Sequence, residues 1–418
     1  MEPWLERAAA AWPDTVAVET SDGALTYAEL LRRARGLAAS PGDRVAILLP
    51  PGLDFAVALH ACLLQGAVAM PVDGRLSERE RDAQVQEAGI VIDAPLSATD
   101  SFASSHIPDP RDGALIVHTS GTTGSPRPVV LSYGNVLANA LGCFAALGHD
   151  RAERWLCPLP LSHVGGLMVL LRSAIAGTTA VLDAPARDDV TIASLVPTQL
   201  GRLLEAGAAP PPSLRVVLLG GAPADPTLLA RARDAGWPVA PSYGLTQTCS
   251  AVTIADPGDI ATSGSPLPGL RVAIEAERSG DGQAARGSGE ILVSGPSVAG
   301  GGVLRTGDLG RLEHGRLVVV GRKSDTIVTG GENVAPTEVE AVLLEHPLVA
   351  EAGVVGRPDP EWGEAVTAFV VLRGELSAPE LREFCAARLA RFKVPKTIEV
   401  VAALPRNAAG KLLRRELG

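Results

Sequence analysis

Aromatic side chains are scarce here: Phe, Trp and Tyr together make up 3% of 418 residues, although 46% of the chain is apolar. Any core must therefore be built from Ala, Val and Leu, and that bias is compositional rather than functional. Cysteine is sparse too. Cys62, Cys143, Cys157, Cys249 and Cys385 lie far apart with no CxxC pair, which excludes a disulfide scaffold or a zinc site and fits a reducing compartment. The seven histidines lack ligand spacing as well. A basic excess is missing. A net charge of −10 argues against nucleic acid, which needs a basic face; Arg414 and Arg415 interleave with Glu383, Glu399 and Glu416 and read as a solvated helix surface. The most apolar tract, 45–72, is interrupted by Pro50, Pro51, Asp54, His60, Gln65 and Gly66, so no clean membrane span is present. Residues 1–6 lack a basic region followed by an apolar one, and no export signal is expected. The expected location is cytoplasmic.

At this length one ordinary core is insufficient, so two or more domains are expected. Thr26 followed by Glu29 is a capping box for a helix that should run to Ala39. Buried-strand patterns at 44–49, 67–72, 113–118, 178–182, 214–219 and 237–241 alternate with helical ones such as 54–65, which suggests α/β layers. After about residue 264 the texture changes to short strands between glycines at 270–274, 289–294, 302–306 and 316–320, a β-rich subdomain. A helix at 336–344 then opens a compact α+β tail with segments at 349–355, 365–372, 378–389 and 396–400. The fold class is α/β: a large multi-subdomain N-terminal domain, 1–322, with a β-rich part, a hinge at 323–325, and a small mobile α+β domain at 326–418.

The strongest local signal is His118-Thr119-Ser120-Gly121-Thr122-Thr123-Gly124-Ser125-Pro126-Arg127, which follows a buried strand. Glycines allow close backbone approach, and hydroxyls and N–H groups suit an anion, so the segment fits a nucleotide's phosphates. It lacks the Gly-Lys-Ser/Thr ending of the ordinary P-loop. A plain Ser/Thr/Gly turn would share its composition.

Four further segments follow in order: Ser242-Tyr243-Gly244-Leu245-Thr246-Gln247-Thr248; Arg305-Thr306-Gly307-Asp308; Gly321-Arg322-Lys323-Ser324-Asp325 with Gly330-Gly331-Glu332-Asn333-Val334; and Leu404-Pro405-Arg406-Asn407-Ala408-Ala409-Gly410-Lys411. Together with the hydroxyl-rich loop, they resemble the motifs of the adenylate-forming superfamily of acyl-CoA synthetases, peptide-synthetase adenylation domains and luciferases. The resemblance covers the chain from about residue 25 to its end. It implies that Thr119, Ser120, Thr122 and Thr123 hold the β- and γ-phosphates of ATP, with Gly121, Gly124 and Arg127 completing the loop. Gly220-Gly221-Ala222-Pro223 would lie against the adenine, flanked by Ser242, Tyr243 and Gly244, with Tyr243 stacked on the ring. Thr246 would meet the α-phosphate, Asp308 would accept both ribose hydroxyls, and Arg322 would assist. Lys411 would stand between the substrate carboxylate and the α-phosphate, where a cation lowers the barrier to bringing two anions together. Lys323 and Ser324 would be the hinge, and Gly330, Gly331 and Glu332 would border the channel for coenzyme A.

Two positions depart from the family pattern. Arg127-Pro128 stands where Lys-Gly is usual, and Pro128 removes an N–H. Gln247 replaces a Glu that helps bind magnesium, and a neutral amide is a poorer ligand for a hard dication. Gln247 and Thr123 remain the metal-side candidates, with the triphosphate and water holding most of the ion.

For the acid, the short 73–113 region and Arg154-Trp155-Leu156-Cys157-Pro158-Leu159-Pro160-Leu161-Ser162-His163-Val164-Gly165-Gly166-Leu167 resemble the o-succinylbenzoate–CoA ligases of menaquinone biosynthesis. His163, Gly166, Thr198, Ser242, Thr248 and Ser250 would line the acyl pocket, although a buried structural histidine is the plainer reading of His163. Arg172 either pairs with a second carboxylate or, as expected, lies on a solvated helix face. The expected partners are a small carboxylic acid, ATP and coenzyme A, with magnesium; self-association is left open. Other acyl- or aryl-CoA ligases, a carrier-loading adenylation domain, and a non-catalytic nucleotide binder are the alternatives.

Overall fold

Residues 2–97, 106–119, 127–182, 188–278, 284–330, 332–407 and 410–417 are described by a computed structural model. Two sheets form its larger part. In the five-stranded one, Ile90–Ile92, Arg44–Ile47, Val68–Pro71 and Gly113–Thr119 run parallel, and Arg127–Ser132 closes the edge antiparallel. Pro128 sits on that edge strand, where a missing N–H breaks no ladder on the open side. In the nine-stranded sheet six strands run parallel in the order Val239–Leu245, Val216–Leu219, Ile192–Leu195, Arg154–Leu156, Thr179–Val181, Val16–Thr20, with antiparallel strands at both margins.

Helices fill the space between these sheets. Leu53–Leu64 carries apolar residues around nearly its whole circumference, and Val164–Ala176 does the same; both are buried along almost their full lengths. A helix without a polar face must be covered on every side. Their side chains join residues of both sheets in the largest core.

The expected helix after Thr26 forms with its capping box but ends at Ala34, short of Ala39. Gly36 accounts for this early stop: a Cβ there would fall 2.0 Å from the Ser97 carbonyl oxygen, so the chain turns under a close neighbour. The β-rich expectation corresponds to one antiparallel meander, Arg271–Arg278, Ala284–Ser294, Val303–Glu313 and Arg316–Arg322. A short 3-10 turn, Lys323–Asp325, leads into a sheet of Ile327–Thr329, Glu332–Val334, Val349–Asp359, Gly363–Leu372 and Thr397–Val400. Helices Pro336–Leu344 and Ala378–Ala386 pack on it around a separate apolar cluster.

Gly177 ends helix Val164–Ala176 in the left-handed region (φ 74°, ψ 32°), and a Cβ there would fall 2.0 Å from the Trp12 ring. Gly207 also has positive φ (67°) but has nothing within 4 Å of such a Cβ. Gly177→Ala should therefore cost roughly 2–5 kcal/mol, the left-handed penalty plus overpacking. Gly207→Ala should cost only about 1 kcal/mol. Urea unfolding of both variants checks the contrast.

Candidate active site

The residues singled out by sequence gather where the parallel strands end. Thr119 closes Gly113–Thr119; His163 follows Arg154–Leu156; Thr198 follows Ile192–Leu195; Gly220 to Pro223 follow Val216–Leu219; Ser242 to Gly244 lie at the end of Val239–Leu245. The crevice beyond the carboxyl ends of parallel strands is where α/β sheets bind ligands. Ser120 to Gly124 lie outside the described residues, as does Gly331. Thr119 Oγ1 donates to the Arg127 carbonyl at 3.2 Å, joining the two ends of the hydroxyl-rich loop.

Asp308 is the best-defined polar centre. It lies directly across the meander from Arg322, whose Nε donates to Oδ1 at 2.8 Å. The Tyr243 hydroxyl donates to Oδ2 at 2.8 Å. Each oxygen thus keeps a further lone pair, as two ribose hydroxyls require. Burial, then the charge of Asp308, pushes the Tyr243 phenol well above its usual range, so it stays a donor.

Lys411 comes to this centre from the far end of the chain. Its backbone is held by Asn407: Lys411 N–H donates to Asn407 Oδ1 and Asn407 N–H to the Lys411 carbonyl, both at 2.9 Å. The turn reaches the first turn of helix Pro197–Glu205, where a Cβ on Gly410 would lie 2.8 Å from Thr198 Oγ1. Among the described residues, no carboxylate lies within ion-pair distance of the Lys411 amine. Burial and the Arg322 charge lower its pKa from 10.5, while Asp308 and Asp325 oppose them. A partly desolvated cation with no dedicated partner is suited to meeting an anion that arrives.

On the acyl side, His163 is no core histidine; its side chain keeps 43% exposure at the start of helix Val164–Ala176. Its Nε2 is 3.9 Å from Asp73, which also accepts from Ser162 Oγ at 2.9 Å and from Arg75. Partial burial lowers the imidazole pKa, with Asp73 opposing and Arg75 reinforcing it. Arg75 chiefly holds Asp73 far below the carboxylate range. Gly166 is buried in the same helix. Ser242 donates to the Leu219 carbonyl at 3.0 Å. Thr248 is fully buried, its hydroxyl engaged with Leu245 and Ser250. Cys249 and Ser250 both have positive φ, 58° and 102°, a strained pair of the sort that clusters at functional sites.

Arg172 does not lie on a solvated face. It is 1% exposed, donates to Asn139 Oδ1 at 2.7 Å and sits 5.4 Å from the centre of the Trp155 ring. Asn139 in turn donates to the carbonyls of Thr248 and Ala251, so this buried guanidinium underpins the strained segment. Arg414 is likewise not a solvated surface residue: it pairs with Asp325 at 3.2 Å and with both oxygens of Glu340 at 2.7 and 2.8 Å.

Sequence reasoning missed Asn135, Asn139 and Asp73. Asn135 and Asn139 are four apart on the otherwise apolar helix Tyr133–Leu147 and both are buried, a signal that was present. Asp73 carries no such mark. Thr246 opens the 3-10 turn Thr246–Thr248 and is half-buried. The Gln247 carbonyl accepts from Ala299 N–H at 2.8 Å. Gly330 turns at φ 58° and donates to the Trp362 carbonyl at 2.8 Å, while Glu332 is exposed. Among the described residues, no group of three His, Cys, Asp or Glu side chains could hold a metal. The residues present therefore fit magnesium only as an ion carried mainly by phosphate and water oxygens.

A carboxylate held by a tyrosine from a parallel-strand end and an arginine of the meander, with a lysine of the C-terminal segment in its electrostatic field, fits a nucleotide-dependent enzyme of the adenylate-forming class. The chain belongs to the AMP-binding enzyme family: the model of that family matches residues 5–94 and 91–301, and that of the AMP-binding enzyme C-terminal domain matches 338–411. It is 38% identical to the 2-succinylbenzoate–CoA ligase of Bacillus subtilis (strain 168), over 99% of this chain and 97% of that protein. Solved structures of the Bacillus subtilis o-succinylbenzoate CoA synthetase are similar at 36% identity. The complex with the acyl-adenylate OSB-AMP gives a TM-score of 0.90, covering 100% of this chain and 98% of that one. The complex with ATP and magnesium gives 0.88, covering 99% of each. A double mutant bound with the product analogue OSB-NCoA gives 0.70, covering 100% and 98%.

Tyr243→Phe removes one hydrogen bond to a carboxylate and should weaken AMP binding about tenfold, at roughly 1.5 kcal/mol for a bond to a charged group. Isothermal titration calorimetry of AMP reads this directly.

Proposed function

We propose that the chain is an ATP-dependent acid–CoA ligase that activates o-succinylbenzoate as an acyl-adenylate and transfers the acyl group to coenzyme A in menaquinone biosynthesis. What supports this reading is the turn before Lys411, which packs against Thr198 at a strand end while the lysine feels the charges of Asp308 and Arg322.

In the first half-reaction a carboxylate oxygen attacks the α-phosphorus of ATP and pyrophosphate leaves. Both reactants are anionic, so the Lys411 ammonium offsets the charge that accumulates between them. Asp308 and Tyr243 hold the ribose end, and Thr246 meets the α-phosphate. Ser120, Thr122 and Thr123 receive the phosphates that depart. Magnesium, when bound, would neutralise the triphosphate, and Gln247 and Thr123 would be the residues on its side. In the second half-reaction the thiol of coenzyme A attacks the acyl carbonyl, the thioester bond forms, and AMP leaves with the electron pair of the former C–O bond.

The two steps need different surroundings at one carbon, since the lysine occupies space that a thiol must enter. Residues 1–322 form the body, 323–325 the hinge and 326–418 the moving cap. A change of shape between the steps is supported by one relative: the Bacillus subtilis protein fits this chain at a TM-score of 0.90 with OSB-AMP and 0.70 as a double mutant with OSB-NCoA. Gly330, Gly331 and Glu332 border the thiol channel. The acid lies among His163, Gly166, Thr198, Ser242 and Ser250, with Thr248 supporting the wall. No helix of the described residues is long and apolar enough to cross a membrane.

Purified protein given ATP, magnesium, coenzyme A and a panel of o-succinylbenzoate, benzoates, cinnamates, fatty acids and amino acids should form AMP fastest with o-succinylbenzoate. A marked preference for another acid removes the substrate assignment and leaves the mechanism. Lys411→Ala should lower adenylate formation by at least about a hundredfold, the scale of one preorganised electrostatic group. Thioester formation from supplied acyl-adenylate should stay near the wild-type rate. Equal loss of both steps would count against the moving cap.

A further inference from the structure

We infer that Glu290 is a positioning residue that couples the ribose-binding turn to the hinge, holding the cap in its adenylate-forming orientation. Glu290 lies on strand Ala284–Ser294, and its side chain is only 7% exposed. Three groups converge on it. Arg305 Nη2 donates to Oε2 at 2.7 Å, the Gly307 N–H donates to Oε1 at 3.3 Å, and Lys323 Nζ lies 3.7 Å from Oε2. Arg305 and Gly307 begin the turn that presents Asp308. Thr306 completes the attachment, donating to the Ile291 carbonyl at 2.8 Å and accepting the Asp308 N–H at 3.1 Å. A single carboxylate therefore fixes the turn from below and reaches the first residue of the 3-10 turn Lys323–Asp325.

The other end of that turn is tied in the opposite direction. Asp325 pairs with Arg414, and Arg414 chelates Glu340, which also accepts the Val354 N–H at 2.8 Å. Lys323 is thus fastened to the body and Asp325 to the cap. The whole turn Lys323–Asp325 takes up the rotation, so Lys323 moves with it. Rotation of the cap must carry Lys323 away from a buried acid, so the Lys323–Glu290 pair favours the orientation that keeps Lys411 at the site. Arg305 remains beside Glu275 and Glu290 in either case, because all three belong to the meander.

This inference rests on the two-step reading of the function. The full chain and the variants Glu290→Gln, Lys323→Met and their combination are compared in single turnovers of each half-reaction, using ATP, magnesium and o-succinylbenzoate for the first, and supplied acyl-adenylate with coenzyme A for the second. A partly exposed pair is expected to shift the balance about fivefold. Lys323→Met should lose that much in adenylation with thioester formation unchanged or faster; Glu290→Gln, which also loosens the ribose turn, should lose more in adenylation than in thioester formation, and adding Lys323→Met to it should cost nothing further. Adenylation indistinguishable from wild type, equal loss in both half-reactions, or additive losses in the combination would overturn it. Lys323 is 53% exposed, so if Glu290→Gln does not fold, Lys323→Met decides by the same ratio. A wild-type chain that forms no adenylate overturns both the function and this coupling; a wild type that runs both steps with an unmoved ratio in the variants overturns the coupling alone.

Discussion

A carboxylate and a phosphate repel each other, and in the proposed reaction one ammonium, that of Lys411, offsets that repulsion. Lys411 is partly buried, carries no dedicated carboxylate partner among the described residues, and feels Arg322 and Arg414 on one side and Asp308 and Asp325 on the other. Such a group is unfavourable in isolation. It persists because the turn carrying it is anchored through Asn407 and because the following residues are clamped by Arg414 to Glu340 and Asp325. The reactive end is left without a carboxylate partner among the described residues while the segment behind it is anchored.

The larger part of the molecule supplies a rigid frame for that cation. Two largely parallel sheets, with helices buried along almost their full lengths between them, place candidate residues at the ends of five strands. The antiparallel meander adds Asp308 and Arg322 as a cross-strand pair. The strain is local, at Cys249 and Ser250, and is supported from beneath by Asn139 and the buried Arg172.

The α/β layering and the α+β tail were legible because strand and helix periods alternate cleanly, and the ordered motifs pointed to the family that the comparisons show. Asp308, Arg322, Tyr243 and Lys411 could be named from their motifs, although their mutual hydrogen bonds and electrostatic contacts could not. Arg172 and Arg414 were misread as solvated because charge ordinarily marks surface. In this fold Arg172 is buried and Arg414 half-buried, with partners more than thirty residues away, Asn139 for one and Asp325 and Glu340 for the other, and long-range pairing leaves no local pattern. Glu290 was invisible for the same reason: a single acid in a run of glycines and aliphatics gives no hint that Arg305, Gly307 and Lys323 converge on it.

The most direct test of the central claim is the pH dependence of the two half-reactions in single turnovers. The lysine must be protonated to act, and its pKa lies below the ordinary 10.5, so adenylation should fall as pH rises through that lowered value. Thioester formation from supplied acyl-adenylate should not share this decline, and should rise as the thiol ionises. Adenylation that stays flat up to the ordinary lysine range, or one alkaline limb common to both steps, would contradict the account.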